Sequence, residues 1–361
     1  MKIVADNKIP FLKGVFEPFA QVVYLPGKSI DNAVLRDADA LITRTRTKCN
    51  KELLENTAMK HIATATIGFD HINVPEVEAL GISWNNAPGC NANSVGQYVS
   101  CALQTLEFPP AGKTIGVIGV GHVGSIVARY ARVLGMNVLL NDPPRQERGE
   151  KGFVSLEELL ERSDIVTLHV PLEYAGKYPT FHMADEKFFA AMKPGSVFFN
   201  ASRGEAAETR ALKEALKQGH IRQAVIDVWE DEPEIDRELL EMVHIGTMHI
   251  AGYSTDGKAN GTTASVRAVA RALNIPELFS WSPALLPDPP EEKKIAFTSL
   301  KDVLLHTYDP RNDSSRLRST PESFEELRGS YPIRREFQAF TVTGVPEEQK
   351  SILSALGFNI K

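Results

Sequence analysis

Between residues 114 and 228 the chain alternates short β-type runs with amphipathic helical stretches. Its first strand and helix are joined by Gly119-Val120-Gly121-His122-Val123-Gly124. Strands are read at 114–118, 137–141, 164–169, 196–200 and 223–228. Helices are read at 123–134 (closed by Gly135), 156–161, 185–192 and 209–217. A strand that is followed by a helix and then by another strand must lie parallel to its neighbour, with the crossover on one face of the sheet. Serial winding of this kind leaves few solutions besides an open, doubly wound α/β sheet.

A second series of the same type precedes it. Strands are expected at 2–5, 21–24, 40–43, 61–65 and 81–84, with a helix near 30–37. A longer helix at 92–107 runs into Phe108-Pro109-Pro110-Ala111-Gly112, a natural boundary. Two such series predict two Rossmann-like lobes with a cleft between them. After Leu286-Pro287-Asp288-Pro289-Pro290, a linker by its proline content, a third segment carries charges of both signs and the apolar runs 295–297 and 340–342. It is expected to fold, but a core of that size is marginal alone, and packing against a second subunit would bury more surface. The expected division is a substrate-binding lobe at 1–94 and 256–285, a nucleotide-binding domain at 95–255 and a small α+β dimerisation module at 286–361. At ~150 residues per domain, a 361-residue chain has room for all three.

Composition closes off other classes. Forty basic against 46 acidic side chains leave a formal charge of −6, so nucleic acid is not an expected partner. No apolar run reaches the ~18 residues that span a bilayer, which argues against a membrane. The first residues meet Asp6 after three apolar positions, too few for a signal-peptide core, and a cytoplasmic location is expected. Cys49, Cys90 and Cys101 show no metal-ligand or CxxC spacing, so they are read as reduced thiols and no metal is expected.

The glycine motif carries a chemical meaning in this context. The first glycine permits a tight turn, the second lets backbone N–H groups approach a pyrophosphate, and the third lets the helix pack closely. The helix N-terminus then faces the phosphates with its partial positive charge. Asp142 ends the next strand, 18 residues beyond Gly124, where a carboxylate would accept the adenosine ribose hydroxyls and repel a 2′-phosphate. NAD is therefore favoured over NADP, with Arg145 and Arg148 weakening that preference slightly.

Three further groups follow strands of the same lobe. Asn200-Ala201-Ser202-Arg203-Gly204, Asp227-Val228-Trp229-Glu230-Asp231-Glu232-Pro233 and Thr247-Met248-His249-Ile250-Ala251-Gly252-Tyr253 all fall at expected carboxyl ends, where open α/β sheets bind ligands. A guanidinium can clamp a carboxylate and an adjacent oxygen. An imidazole can pass a proton near neutral pH, and a carboxylate beside it orients the ring. Arg203, Glu232 and His249 together supply what hydride transfer at a 2-hydroxy acid needs, though each alone could be an ordinary surface charge.

With these motifs the chain resembles the D-isomer-specific 2-hydroxyacid dehydrogenases. Ala87-Pro88-Gly89-Cys90-Asn91-Ala92, Asn141-Asp142-Pro143-Pro144-Arg145, His249 to Tyr253 and the extra C-terminal segment are similar to a narrower group that acts on a phosphorylated acid. The resemblance implies that Arg203, Glu232 and His249 are catalytic, with His249 as the acid/base. It implies that Gly119, Gly121, His122, Val123, Gly124, Asp142, Ala201, Ser202, Arg203, Asp227 and Gly252 contact NAD. It also implies that Thr45, Thr66 and Tyr253 contact substrate and that the protein is a homodimer. Close relatives favour Ser at position 45, so Thr45 keeps the hydroxyl and adds a methyl. Arg44 and Arg46 could hold a substrate phosphate or be plain surface bases. A dehydrogenase for phosphoglycerate or glycerate, and a non-enzymatic NAD-sensing protein on the same scaffold, are the alternatives.

Overall fold

The computed structural model describes residues 1–361, which divide into two compact units. The first is Met1–Asn91 with Thr255–Pro287, and the second is Ala92–Ser254 with Asp288–Lys361.

The first unit is built on five parallel strands: β1 (Lys2–Asp6), β2 (Gln21–Leu25), β3 (Ala40–Thr43), β4 (His61–Thr64) and β5 (Ser83–Asn85). Their order is β2-β1-β3-β4-β5, with the reversal of winding at β1/β3. Every residue of β3 and β4 is buried, as expected of strands covered on both faces. The 18-residue helix Thr255–Ala272 packs Val266, Val269 and Ala270 into the core with Ile3, Ala5 and Ile42. Gly261 allows that approach, because a Cβ there would lie 2.5 Å from the Ala65 carbonyl oxygen. The helix expected over 30–37 is shorter, Asn32–Leu35, capped by the Asp31 side chain on the Val34 N–H.

The second unit holds six parallel strands: β6 (Thr114–Ile118), β7 (Asn137–Asn141), β8 (Ile165–Leu168), β9 (Ser196–Asn200), β10 (Ile221–Ile226) and β11 (Ile245–Gly246). The order β11-β10-β9-β8-β6-β7 puts the topological switch between β6 and β8. Ligands of such sheets sit outside the carboxyl ends of the strands at that switch. Side-chain caps start the flanking helices. Ser155 accepts from the Glu158 N–H, Asp185 from the Phe188 N–H and Asp236 from the Leu239 N–H.

Residues 288–361 add a small parallel sheet, β12 (Lys294–Ala296), β13 (Thr341–Thr343) and β14 (Asn359–Ile360), with β13 central. Leu304, Leu317, Phe340 and Val342 of this segment belong to the same apolar core as Val117, Phe198 and Ile226 of the large sheet. No helix in the structure is long and apolar enough to cross a membrane. The three cysteines are free thiols, Cys49 and Cys101 buried.

Candidate active site

The glycine-rich turn leaves β6 beside the switch point. Gly119 has φ 81°, and a Cβ there would meet the His169 carbonyl oxygen at 2.6 Å; at Gly124 a Cβ would lie 2.0 Å from the Gly119 oxygen. Both positions are closed to a side chain by the protein itself. Gly121 differs. A Cβ on it would meet nothing within 4 Å, and it caps the helix His122–Val133 with no side chain on the first N–H groups. An open backbone at a helix N-terminus suits a pyrophosphate. Asp142 ties the turn down, its Oδ2 accepting from the Val120 N–H at 2.8 Å while Oδ1 caps the next turn on the Arg145 N–H at 3.0 Å. Arg145 donates through Nε to Glu150 at 2.8 Å, and Arg148 reaches the same carboxylate at 3.4 Å. Both arginines that could have favoured a 2′-phosphate are thus engaged by Glu150, and the residues present fit NAD. His169, at the end of β8, is fully buried, and burial pushes its imidazole down to about 3. It contributes a neutral wall behind the turn.

At the end of β9, Asn200 folds the next turn back on itself. Its Oδ1 accepts from the Ser202 N–H and hydroxyl, and its Nδ2 donates to the Arg203 carbonyl at 2.9 Å. Arg203 is half-buried and donates through Nη1 to the Ser202 carbonyl at 2.8 Å.

The turn after β10 places Glu232 between two donors. Oε1 accepts from the Trp229 N–H at 3.0 Å, and Oε2 pairs with His249 Nδ1 at 2.8 Å. Burial alone would push the Glu232 carboxyl up. The His249 charge and hydrogen bond, the Trp229 N–H and the nearby Arg328 outweigh burial, and the group titrates below its ordinary range. A carboxylate on Nδ1 fixes the ring tautomer and leaves Nε2 as the working nitrogen.

His249 itself has φ 56°, a left-handed conformation that a β-substituted residue holds only when its surroundings impose it. Asp227 imposes it. Its buried carboxylate accepts from Thr247 Oγ1, the Ile250 N–H and the Ala251 N–H at 2.6–2.8 Å, and its carbonyl accepts from the His249 N–H at 2.7 Å. Asp227 was expected to touch NAD; the role visible here is to shape the loop that carries His249. Gly252 and Tyr253 complete that loop, with the Tyr253 N–H bonded to the Ile250 carbonyl. Thr45 and Thr66, the other expected substrate contacts, follow β3 and β4 of the first unit. Thr45 is exposed, whereas Thr66 is half-buried with its hydroxyl bonded to Thr64 Oγ1 and the Gly68 carbonyl.

An imidazole held by a carboxylate, at the strand ends of a dinucleotide-binding sheet, is what an oxidoreductase of hydroxy acids requires, and comparison agrees. Residues 96–285 match the family model of the D-isomer specific 2-hydroxyacid dehydrogenase NAD binding domain, and 288–357 match a domain of unknown function, DUF3410. The chain belongs to the D-isomer-specific 2-hydroxyacid dehydrogenase family, and its cofactor is NAD. It is 51% identical over 348 residues to an erythronate-4-phosphate dehydrogenase of Bacteroides fragilis, covering 95% of this chain and 99% of that one. With the enzyme of that name from Escherichia coli it shares 40% identity, covering 99% and 98%. Among solved structures, D-lactate dehydrogenase from Aquifex aeolicus, complexed with NAD and lactic acid, superposes with TM-score 0.64 at 25% identity. It covers 80% of this chain and 100% of its own.

Proposed function

We propose that this chain oxidises 4-phospho-D-erythronate at C2 to 2-oxo-3-hydroxy-4-phosphobutanoate in pyridoxine biosynthesis. The observation that carries the chemistry is the Glu232–His249 pair at 2.8 Å on the strand ends of the NAD-binding sheet. The full-length similarity to erythronate-4-phosphate dehydrogenases supports the substrate. Arg203 holds the C1 carboxylate and the C2 oxygen with its planar donors. His249 Nε2 takes the C2 hydroxyl proton, and Glu232 stabilises the imidazolium so formed. The chemistry that NAD would supply there, when bound, is a hydride acceptor for C2. Gly119, Gly121, His122, Val123, Gly124, Asp142, Ala201, Ser202, Arg203, Asp227 and Gly252 are the NAD contacts, and Thr45, Thr66 and Tyr253 the substrate contacts. Residues 1–94 and 256–285 serve the substrate, 95–255 the cofactor and 286–361 a homodimer, in the cytoplasm.

The test is NADH absorbance with a panel of acids, backed by single-turnover measurement so that slow product release does not hide reaction. Turnover confined to 4-phosphoerythronate supports the reading. Preference for 3-phosphoglycerate, or tight NADH binding with no turnover of any acid, refutes it. A solution mass near twice the 39.8 kDa chain supports the dimer, and 39.8 kDa refutes it.

A further inference from the structure

The family model ends at residue 285, and the lactate dehydrogenase aligned over its whole length covers only 80% of this chain. The segment beyond 285 packs directly on the loop that carries His249. Arg334, fully buried, donates through Nη2 to the Ala251 carbonyl at 2.6 Å and lies 4.6 Å over the Tyr308 ring. Glu336 Oε1 accepts from the Ser254 and Ser94 hydroxyls, each at 2.8 Å. Arg328 reaches furthest toward the chemistry. Its Nε donates to the His249 carbonyl at 3.3 Å, and its guanidinium lies 5.1 Å over the Tyr253 ring.

Arg328 and Arg334 are placed for different work. Arg334 is sealed in the protein and can only brace the loop. Arg328 is half-buried, and only its Nε is used by a protein acceptor. Its two terminal nitrogens form a planar fork already held in place by the Tyr253 face and the His249 carbonyl. Such a fork suits bidentate capture of a phosphate, with little side-chain entropy left to lose. A dianion brought near Glu232 would be repelled by that carboxylate unless a cation stood beside it, and Arg328, bonded to the His249 carbonyl, lies near enough to act on Glu232 together with His249. Of the rival bases, Arg44 has its charge answered by the buried Asp6 carboxylate 3.5 Å from its Nε, whereas the Nε of Arg328 meets a neutral carbonyl. The lactate dehydrogenase handles an acid with no phosphate.

We propose that Arg328 is a specificity-determining residue: it binds the substrate's terminal phosphate, so that the C-terminal segment completes the substrate site. The proposal rests on the reaction assigned above.

The experiment compares wild type and Arg328→Gln with 4-phosphoerythronate, with unphosphorylated erythronate, and with inorganic phosphate as a competitive inhibitor. Loss of a charged hydrogen-bonding partner should raise KM for the phosphorylated acid about ten- to hundred-fold, a larger factor than any fall in kcat. The phosphate inhibition constant should rise in parallel, kcat/KM for erythronate should fall at least about tenfold less than that for the phosphorylated acid, and Arg328→Lys should recover part of the loss. Equal losses on both acids, or a fall in kcat alone, would assign Arg328 to loop positioning and overturn the proposal. So would an unchanged KM and phosphate inhibition constant. A wild type that does not turn over 4-phosphoerythronate overturns the reaction itself and this proposal with it, whereas an active wild type with an unaffected variant overturns this proposal alone.

Discussion

Gly204 lies so close to Trp229 that a Cβ on it would sit 1.9 Å from the Trp229 carbonyl oxygen and 2.6 Å from the Glu230 nitrogen. This contact seats the turn of Arg203 on the turn that presents Glu232. Neither side is a flexible side chain that could swing away; both are backbone. Gly204→Ala must therefore push the two turns apart, with an overpacking cost of about 1–3 kcal/mol. Because a small misplacement of positioned groups is felt strongly in the rate, kcat should fall at least about tenfold. Thermal unfolding and steady-state kinetics on the same preparation check this, and full retention of both would show that the close approach constrains nothing.

Gly121 and Gly124 should respond differently to the same methyl group. A Cβ at Gly121 meets no protein atom within 4 Å, so Gly121→Ala should unfold at nearly the wild-type temperature. Its methyl would instead occupy the space that the pyrophosphate needs, and the NADH dissociation constant should rise about tenfold or more, about 1.4 kcal/mol. Gly124→Ala places its Cβ 2.0 Å from the Gly119 oxygen and should be destabilised before any cofactor is added. Calorimetry with and without NADH separates the two effects. Equal destabilisation of both variants would refute the distinction.

Removing His249, the proposed acid/base, should leave the cofactor site alone. His249 has its N–H on the Asp227 carbonyl and its ring on Glu232, and the glycine-rich turn is built from other residues. His249→Ala should lower kcat about 10²–10⁴-fold, the span of general acid–base catalysis, with NADH binding by fluorescence titration unchanged. Glu232→Gln keeps a hydrogen-bond acceptor but removes the charge that stabilises the imidazolium, so a smaller loss in the same direction is expected. Undiminished turnover in His249→Ala would remove it from the mechanism.

How much of this was legible before folding depended on whether the signal was local. Strands β3, β4, β8 and β9 are buried along their whole length, and strands of that kind read as largely apolar runs. The glycine spacing was equally local. Arg203, Glu232 and His249 could be picked out because each follows a recognisable strand. Arg328 and Arg334 could not. They reach His249 and Ala251 across 79 and 83 residues, and nothing in their neighbourhood distinguishes them from surface bases. The sequence of the C-terminal segment points to assembly and gives no sign that its apolar residues share the core of the nucleotide-binding sheet. Asp227 has a part that no local pattern shows: only the fold reveals the three donors it gathers from the His249 loop.

Buried histidines set how the fold responds to acid. Burial pushes His61 down to about 4 and His169 down to about 3, from an ordinary value of 6.5. Below pH 6.5 the unfolded chain takes up protons at these positions while the folded chain does not. Stability is thus insensitive to them above about pH 6.5 and is lost as pH falls toward 3–4, with each histidine contributing a slope of about 1.4 kcal/mol per pH unit. Urea unfolding midpoints should therefore decline from pH 7 to pH 5. His169→Gln, which cannot take up that proton in either state, should flatten the decline by about one histidine's slope, even if it is less stable at pH 7. Parallel curves for wild type and variant would show that His169 titrates alike in both states.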